Sequence, residues 1–171
     1  MLVLVLGGTR SGKSELAERW AGTAGPVTYL ATGSASDAGM ADRIARHRDR
    51  RPASWTTVEA GADLAAALDA VPSTDTVLVD ALGTWVAAHP DFRVAVDPLV
   101  AALRRRRGLT VVVSDEVGLG VHPSSELGVR FRDVLGAVNR AVADAADRAV
   151  LVVAGRVLDL APAPPAPHLP S

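Results

Sequence analysis

Short apolar runs alternate with longer amphipathic stretches along the chain. The apolar runs are rich in Val, lack strict in–out alternation, and cover residues 2–6, 27–32, 76–80, 110–116 and 149–155. Helical periodicity marks residues 13–22, 37–50, 62–70, 95–107 and 125–147. The repeated order of strand and helix predicts an α/β fold, with a mostly parallel sheet covered by helices on both faces.

The last amphipathic stretch has the clearest stripe. Its apolar residues recur every three or four positions, as Leu127, Phe131, Leu135, Val138 and Val142. This spacing predicts one helical face turned toward a core.

Four segments complete this division of the chain. Residues 55–60 are a candidate short strand, and residues 156–160 are a candidate edge strand forming a hairpin with the strand before them. Segment 81–92 is interpreted as a loop. Residues 161–171 are rich in Pro, which predicts a disordered tail after a single domain at 1–160.

Composition and charge narrow the classes of function. The 171 residues contain no Cys, which excludes disulfides and thiolate metal sites, and the net charge of -1 argues against a general nucleic-acid binder. No apolar stretch has the length of a membrane span, and the start of the chain lacks the features of a signal peptide. We therefore expect a cytoplasmic protein with no membrane span and no nucleic-acid partner.

The segment GGTRSGKS at 7–14 matches the phosphate-binding loop pattern G-x-x-x-x-G-K-[ST]. It lies between a predicted strand and a predicted helix, so that its backbone N–H groups and the helix amino terminus favour phosphate. Lys13, the only Lys beside 17 Arg, would reach the β- and γ-phosphates, and the Ser14 hydroxyl would bind Mg²⁺. The predicted nucleotide-binding residues here are Gly7, Gly8, Thr9, Arg10, Ser11, Gly12, Lys13 and Ser14.

A phosphate loop normally works with an acidic residue at the end of a neighbouring strand, which holds the metal ion through water. Asp80 closes the apolar run TVLVD and is our first choice. Asp115 and Glu116, which end another run, remain alternatives because spacing alone does not exclude them.

One imidazole, His47, lies in the basic segment RIARHRDRRP at 43–52. If 37–50 is helical, His47 shares a face with Met40 and Ile44. Nearby guanidinium groups and partial burial both favour the neutral ring, whose nitrogen lone pair can form a covalent intermediate. The arginines would bind polyphosphate. This combination suggests a nucleophile aimed at an α-phosphate, although a core histidine beside a solvated basic face is the simpler alternative.

Several segments, taken in order, resemble one known family. They are GGTRSGKS, ATG at 31–33, RIARHRDRRPASWTTVE at 43–59, TVLVD at 76–80 and SDEVGLGVHPSSELGVRFRDVLGAVNRAVA at 114–143. Together they are similar to the bifunctional adenosylcobinamide kinase/adenosylcobinamide-phosphate guanylyltransferases of cobalamin biosynthesis, from residue 2 to about residue 158.

The resemblance implies a RecA-like P-loop fold, a homotrimer and two reactions. The enzyme would phosphorylate adenosylcobinamide, then transfer GMP from GTP through a histidine to give adenosylcobinamide-GDP, with GTP or ATP as substrates. Carried over by position, His47 is the guanylylated residue and Lys13 supports catalysis. The matched nucleotide contacts beyond the phosphate loop are Ala31, Thr32, Gly33, Arg48, Asp49, Arg50, Arg51, Glu59 and Asp80.

The chain departs from the family pattern in two places. Some relatives have a second imidazole where this chain has Arg46. The segment ALGTWVAAHPDF at 81–92 lacks the family's Cys-Leu-Thr and later Asn, which affects the expected corrinoid and trimer contacts. His89 in this segment and His122 are expected to be structural or solvent-facing. A plain small-molecule P-loop kinase and a GTP-binding switch remain the alternative functions.

Overall fold

Seven strands form the sheet of this protein. A computed structural model describes residues 1–33 and 52–162, so the predicted helix at 37–50 and all but the first two residues of the Pro-rich tail lie outside the described residues. The strands are β1 (Leu2–Gly7), β2 (Val27–Ala31), β3 (Thr56–Glu59), β4 (Thr76–Asp80), β5 (Thr110–Asp115), β6 (Arg148–Val153) and β7 (Arg156–Leu160).

The strand order is β3-β2-β4-β5-β1-β6-β7, and every pair is parallel except β6 with β7. The two candidate strands of the sequence analysis are therefore confirmed. Ala154 and Gly155 connect β6 to β7 with positive φ angles of 49° and 72°, the backbone that a two-residue hairpin turn requires. The parallel arrangement brings the carboxyl ends of β1 to β5 to one edge of the sheet.

Five α-helices connect the described strands. They are α1 (Lys13–Ala21), α2 (Leu64–Ala70), α3 (Leu82–Ala87), α4 (Val96–Arg105) and α5 (Glu126–Ala145), with a short 3-10 helix at Pro90–Phe92. Side chains cap the amino termini of α2 and α5. The Asp63 carboxylate accepts a hydrogen bond from Ala66 N, and Ser125 Oγ accepts one from Gly128 N. Such caps satisfy N–H groups that lack a partner within the helix.

Two separate hydrophobic clusters cover the two faces of the sheet. Leu2, Leu4 and Leu6 of β1 face a cluster with residues of α2 to α5, whereas Val3 and Val5 face a cluster that includes α1. Because β1 is buried on both faces, its sequence is continuously apolar, as expected for a parallel strand in a three-layer fold. The predicted α/β class with helices on both faces is confirmed.

The interpretation of 81–92 as a loop is wrong. Residues 82–87 form α3, and Leu82, Trp85 and Val86 are buried in the larger cluster. Their spacing of three and four residues is the helical signal that the segment contains. Trp85 Nε1 also donates a hydrogen bond to Ala62 O at 2.9 Å, which anchors α3 to the segment before α2.

The predicted stripe on α5 is correct only in part. Leu135, Val138 and Val142 are buried, and Phe131 packs edge-on against Phe92 with ring centroids 5.3 Å apart. Leu127, however, is 61% exposed. The first turn of α5 extends beyond the region that the other elements cover. No described helix is both long enough and apolar enough to cross a membrane.

Arg106, immediately after α4, ties together the loop that connects α2 to β4. Its guanidinium donates to four carbonyl oxygens of residues 68, 71, 72 and 75 at 2.9–3.1 Å, and to Thr110 Oγ1 at 3.1 Å. Burial lowers the pKa of the Arg106 guanidinium, while Asp75 and Asp69 act in the opposite direction. The planar guanidinium fork, with its five N–H donors, thus contacts several backbone carbonyl oxygens at once.

Candidate active site

The phosphate-binding loop connects β1 directly to α1, as its sequence predicts. Arg10 and Gly12 take positive φ angles of 58° and 94°, so the backbone curls back before the helix begins. Gly7 has no room for a side chain, because a Cβ there would collide with Ser11 Oγ and lie 2.8 Å from Val152 O. Gly8, Thr9 and Arg10 are exposed at the tip of the loop. This curled backbone can enclose an anion.

The turn between β6 and β7 supports the loop from outside. Gly155 N donates a hydrogen bond to Ser11 O at 2.8 Å, and a Cβ on Gly12 would lie 3.5 Å from Gly155 Cα. Ser11 Oγ is buried and has no hydrogen-bond partner among the described residues. The contact with the turn therefore involves the backbone of the loop rather than the Ser11 side chain.

Lys13 is buried, with only 3% of its surface exposed. Its Nζ lies 2.7 Å from Asp115 Oδ1 and donates to Gly8 O at 3.2 Å. Both contacts hold the ammonium group beneath the loop, where a charge of this compact shape fits. Lys13 is thus directed toward the space that the loop backbone encloses.

Ser14 and Asp80 lie side by side at the edge of the sheet. Ser14 Oγ donates to Asp80 Oδ1 at 3.5 Å, and Tyr29 Oη donates to Asp80 Oδ2 at 2.9 Å. Of the three acids considered from the sequence, Asp80 is therefore the one that faces the loop hydroxyl. A hydroxyl beside a carboxylate is an oxygen donor set of the kind that Mg²⁺ prefers, with water and phosphate completing the coordination.

The other predicted contacts on β2 and β3 belong to the same edge. Ala31 is paired in register with both Asp80 and Glu59, so these three residues form one row across the sheet. Thr32 is buried, and its Oγ1 exchanges hydrogen bonds with the backbone of residue 81 and with Thr84 Oγ1 at 2.6–2.8 Å. This network fixes the end of β2 against the start of α3.

Asp115 and Glu116 differ in their contacts. Glu116 Oε1 accepts a hydrogen bond from Gly118 N at 2.8 Å within its own loop. Asp115 pairs with Lys13 through Oδ1, and a Cβ on Gly83 would lie 2.6 Å from Oδ2. Gly83 therefore allows α3 to approach the carboxylate closely. Asp115 is in register with Gly7, where the phosphate loop begins.

Asn139, a buried polar residue on α5, is not among the residues predicted from the sequence. Ser114 Oγ donates to Asn139 Oδ1 at 2.6 Å, and Asn139 Nδ2 donates to Asp115 O at 3.0 Å. The residue lies four positions after Leu135, on the apolar stripe itself. A polar residue at a core-facing position was the signal that could have identified it.

The remaining predicted residues fall into two groups. His89 Nδ1 is 2.8 Å from Trp85 O, and His122 Nδ1 is 2.9 Å from Pro123 O on the surface, so neither contacts the phosphate loop in the part of the chain that the structure describes. The basic-segment residues lie outside the described residues: His47, Arg48, Asp49, Arg50 and Arg51.

The sheet order, the loop between β1 and α1, and Asp80 two strands away define a P-loop nucleotide-binding protein with a RecA-like fold. An ATPase from the type III secretion system of pathogenic bacteria superposes with a TM-score of 0.57 at 12% identity, covering 88% of this chain and 50% of that one. The flagellar accessory protein FlaH from Methanocaldococcus jannaschii superposes with a TM-score of 0.51 at 16% identity, covering 91% and 74%. These two likenesses concern the fold alone.

Sequence comparison assigns the family. The family model described as cobinamide kinase / cobinamide phosphate guanyltransferase matches residues 3–160. The bifunctional adenosylcobalamin biosynthesis protein CobP of Pseudomonas aeruginosa is 42% identical over 144 residues, covering 78% of this chain and 82% of that protein. The protein CobU of Salmonella typhimurium, described in the same words, is 39% identical over 175 aligned positions, covering 91% and 97%. The chain belongs to the cobinamide kinase / cobinamide phosphate guanyltransferase family, as the resemblance indicated.

Proposed function

We propose that this protein phosphorylates the hydroxyl of adenosylcobinamide and then transfers GMP from GTP to the new phosphate through His47. Membership of the family supports both reactions. The structural observation that carries the proposal is the convergence of Lys13, Ser14 and Asp80 at one edge of the sheet. A phosphate loop of this geometry serves the kinase reaction and binds the GTP of the transferase reaction.

In the kinase reaction, the phosphate loop binds GTP or ATP. Backbone N–H groups of residues 7–14 contact the phosphates, and Lys13 stabilises the negative charge of the β- and γ-phosphates. Ser14 and Asp80 would hold Mg²⁺, whose chemistry is to neutralise charge on the phosphate oxygens. Among the described residues no three His, Cys, Asp or Glu side chains cluster as a metal site, which fits an ion held mainly by substrate and water.

In the transferase reaction, a neutral His47 nitrogen attacks the α-phosphorus of GTP. A nitrogen–phosphorus bond forms, the bond to the bridging oxygen breaks, and pyrophosphate leaves with that electron pair. A phosphate oxygen of adenosylcobinamide phosphate then attacks the same phosphorus and releases His47. The support for His47 comes from its basic sequence context, which favours the neutral ring, and from its matching position in the family.

The guanine nucleotide would be recognised at the same edge of the sheet. We assign this role to Ala31, Thr32, Gly33 and Glu59, with the side chains of residues 48–51. The row formed by Ala31, Asp80 and Glu59 supports the assignment for β2 and β3, because a ligand bound at the phosphate loop can extend along that row.

The decisive experiment uses GTP labelled either at the α- or at the γ-phosphorus. We expect the α-label to become attached to the protein by a bond that is labile in acid and stable in alkali. The label should be absent from His47→Ala and retained in His122→Ala, a control for an exposed imidazole. In a separate assay, γ-label should pass to adenosylcobinamide.

The outcomes separate the possible functions. Transfer of γ-label without any protein-bound α-label would identify a plain P-loop kinase. Nucleotide binding without transfer of either label in the presence of adenosylcobinamide would identify a binding module. Protein-bound α-label that persists in His47→Ala would exclude His47 as the nucleophile while leaving the bifunctional activity intact.

We also propose that the protein forms a homotrimer, as its family resemblance implies. Val153, Val157, Leu158 and Leu160 on the β6–β7 hairpin are 38–59% exposed in the single chain, which leaves apolar surface for subunit contacts. Light scattering after size exclusion should give three times the chain mass of 17.7 kDa. A mass equal to one chain at micromolar concentration would contradict the trimer.

A further inference from the structure

Three acidic residues lie at the carboxyl ends of the neighbouring strands β4 and β5, beside the phosphate loop, and each has different contacts. Asp80 receives hydrogen bonds from Tyr29 and Ser14, which suits it to the metal side of the nucleotide. Glu116 accepts a hydrogen bond from the loop that follows it. Asp115 alone among the three contacts the Lys13 ammonium. Asp115 is therefore the acid in contact with the ammonium group that would bind the γ-phosphate.

The two carboxylate oxygens of Asp115 have different surroundings. Oδ1 pairs with Lys13 at 2.7 Å. Oδ2 is directed toward Gly83, where a side chain would collide with it, and no described residue donates a hydrogen bond to this oxygen. The Asp115 side chain is 29% exposed, so a group that enters from solvent can reach part of the carboxylate.

The backbone of Asp115 is held firmly. Asn139 Nδ2 donates to Asp115 O, and Ser114 Oγ, which is fully buried, donates to Asn139 Oδ1. The next residue is tied to the phosphate loop, because Glu116 N donates to Gly7 O at 3.1 Å. These bonds fix the carboxylate relative to the loop, as a catalytic group requires.

A bound nucleotide changes the charges that surround the Asp115 carboxylate. The β- and γ-phosphates compete for the Lys13 ammonium and add negative charge beside the Asp115 carboxylate, which repels it. A hydroxyl that donates to Oδ2 relieves part of this repulsion and becomes oriented toward the γ-phosphorus at the same time. The acceptor hydroxyl of the kinase reaction is a group of this kind.

We propose that Asp115 is the catalytic base of the kinase reaction, accepting the proton of the acceptor hydroxyl through Oδ2. This assignment rests on the proposed function. The hydroxyl oxygen forms a bond to the γ-phosphorus while its O–H bond breaks and the proton moves to Asp115. The bond from the γ-phosphorus to the β,γ-bridging oxygen breaks, and its electron pair leaves with the nucleoside diphosphate. Asp115 then returns the proton to water.

The test compares Asp115→Asn with the wild-type enzyme, because Asn still accepts a hydrogen bond from Lys13 but cannot take the proton. We expect the kcat for γ-phosphoryl transfer to adenosylcobinamide to fall about 100-fold, a typical effect of losing a general base. The nucleotide Kd and the rate of protein labelling from α-labelled GTP should stay within about threefold of wild type, since neither depends on proton transfer from the acceptor. Asp144→Asn, the same change at an exposed position of α5, serves as the matched control.

Other results would overturn either the assignment of Asp115 as the base or the proposed function itself. A kinase rate within about threefold of wild type in Asp115→Asn overturns the assignment. A parallel loss of nucleotide binding, labelling and kinase activity also overturns it, because Asp115 would then only position Lys13. A wild-type enzyme that transfers no phosphate to adenosylcobinamide from GTP or ATP overturns the proposed function, and the assignment with it.

A second variant covers the case in which Asp115→Asn does not fold. Asp115→Glu keeps a carboxylate beside Lys13 and can still take a proton, so the base assignment predicts measurable phosphoryl transfer that is faster than in Asp115→Ala by about tenfold or more. Equal rates in these two folded variants would overturn the assignment.

Discussion

Asn139 is expected to stabilise the fold and the active site through different bonds. In Asn139→Leu, the Ser114 hydroxyl loses its acceptor and the Asp115 carbonyl loses its donor. Ser114 is fully buried, so water cannot replace the lost partner there. An unsatisfied buried group costs about 1–3 kcal/mol, and we expect the free energy of unfolding to fall by about 2–6 kcal/mol for the two groups together.

A second substitution separates the contribution of Asn139 to the stability of the fold from its contribution to the active site. Adding Ser114→Ala to Asn139→Leu removes the buried hydroxyl, which should restore about 1–2 kcal/mol because replacing both polar partners by apolar groups is nearly neutral. In Asn139→Leu the Asp115 carbonyl has lost its donor, and we expect the kinase rate to fall about tenfold, as when a catalytic group is slightly displaced. The double variant still lacks that donor, so its kinase rate should be reduced by the same factor.

Urea denaturation of the wild type, both single variants and the double variant measures this coupling. The slope of unfolding free energy against urea should be unchanged. A loss below about 1 kcal/mol in Asn139→Leu would refute the reasoning, because it would mean that the two groups find other partners. A double variant with the wild-type kinase rate would show that the bond to Asp115 O has no role in positioning the carboxylate.

Three further changes test other parts of the structure. Arg106→Lys should lower the unfolding free energy by about 2 kcal/mol in urea titration, since an ammonium cannot satisfy the carbonyls that the fork reaches; an unchanged midpoint would contradict the role given to the fork. Gly7→Ala should lower it by about 1–3 kcal/mol through overpacking, whereas Gly8→Ala, whose Cβ would meet nothing within 4 Å, should not, and equal losses would contradict this. The hydrogen bond from Arg148 lowers the pKa of Asp159 below its ordinary 3.8, so the pair stabilises the fold above that pH and the effect is lost as the pH falls toward the lowered pKa. Asp159→Asn should therefore lower Tm at pH 7 but hardly at all at a pH below the lowered pKa of Asp159. A Tm difference that does not depend on pH would contradict a stabilising role for the ionised Asp159 carboxylate.

The parts of the fold that were predictable depend on local patterns. A continuous Val-rich run such as β5 identifies a strand buried on both faces, and GGTRSGKS contains the turn, the Lys and the hydroxyl in one segment. Asp80 could be proposed because it closes such a run. These features follow from near neighbours in the chain, which is why periodicity and a motif are enough to find them.

Helix α3 was missed for a different reason. Its six residues contain Gly and Thr, which are weak helix formers, and the helix is shorter than the window in which periodicity is usually recognised. Burial of Leu82, Trp85 and Val86 stabilises it instead. Tertiary packing thus decides a conformation that local propensity does not favour.

The pairing of Lys13 with Asp115 could not be predicted from spacing. It depends on β5 lying next to β1, with Gly7 opposite Asp115, and the two strands are separated by about a hundred residues of sequence. The sequence favoured Asp80, as the lone acid that closes an apolar run, but spacing alone did not exclude Asp115 or Glu116. The strand order distinguishes Asp80 from Asp115: β5, which lies next to β1, brings Asp115 to the Lys13 ammonium, and β4, one place further, brings Asp80 to the Ser14 hydroxyl. Because the two acids have different partners, the proposed metal-binding and proton-accepting groups lie apart beside one phosphate loop. Asn139, a polar side chain on an otherwise apolar helical face, donates to the Asp115 carbonyl and so helps to hold that residue in place.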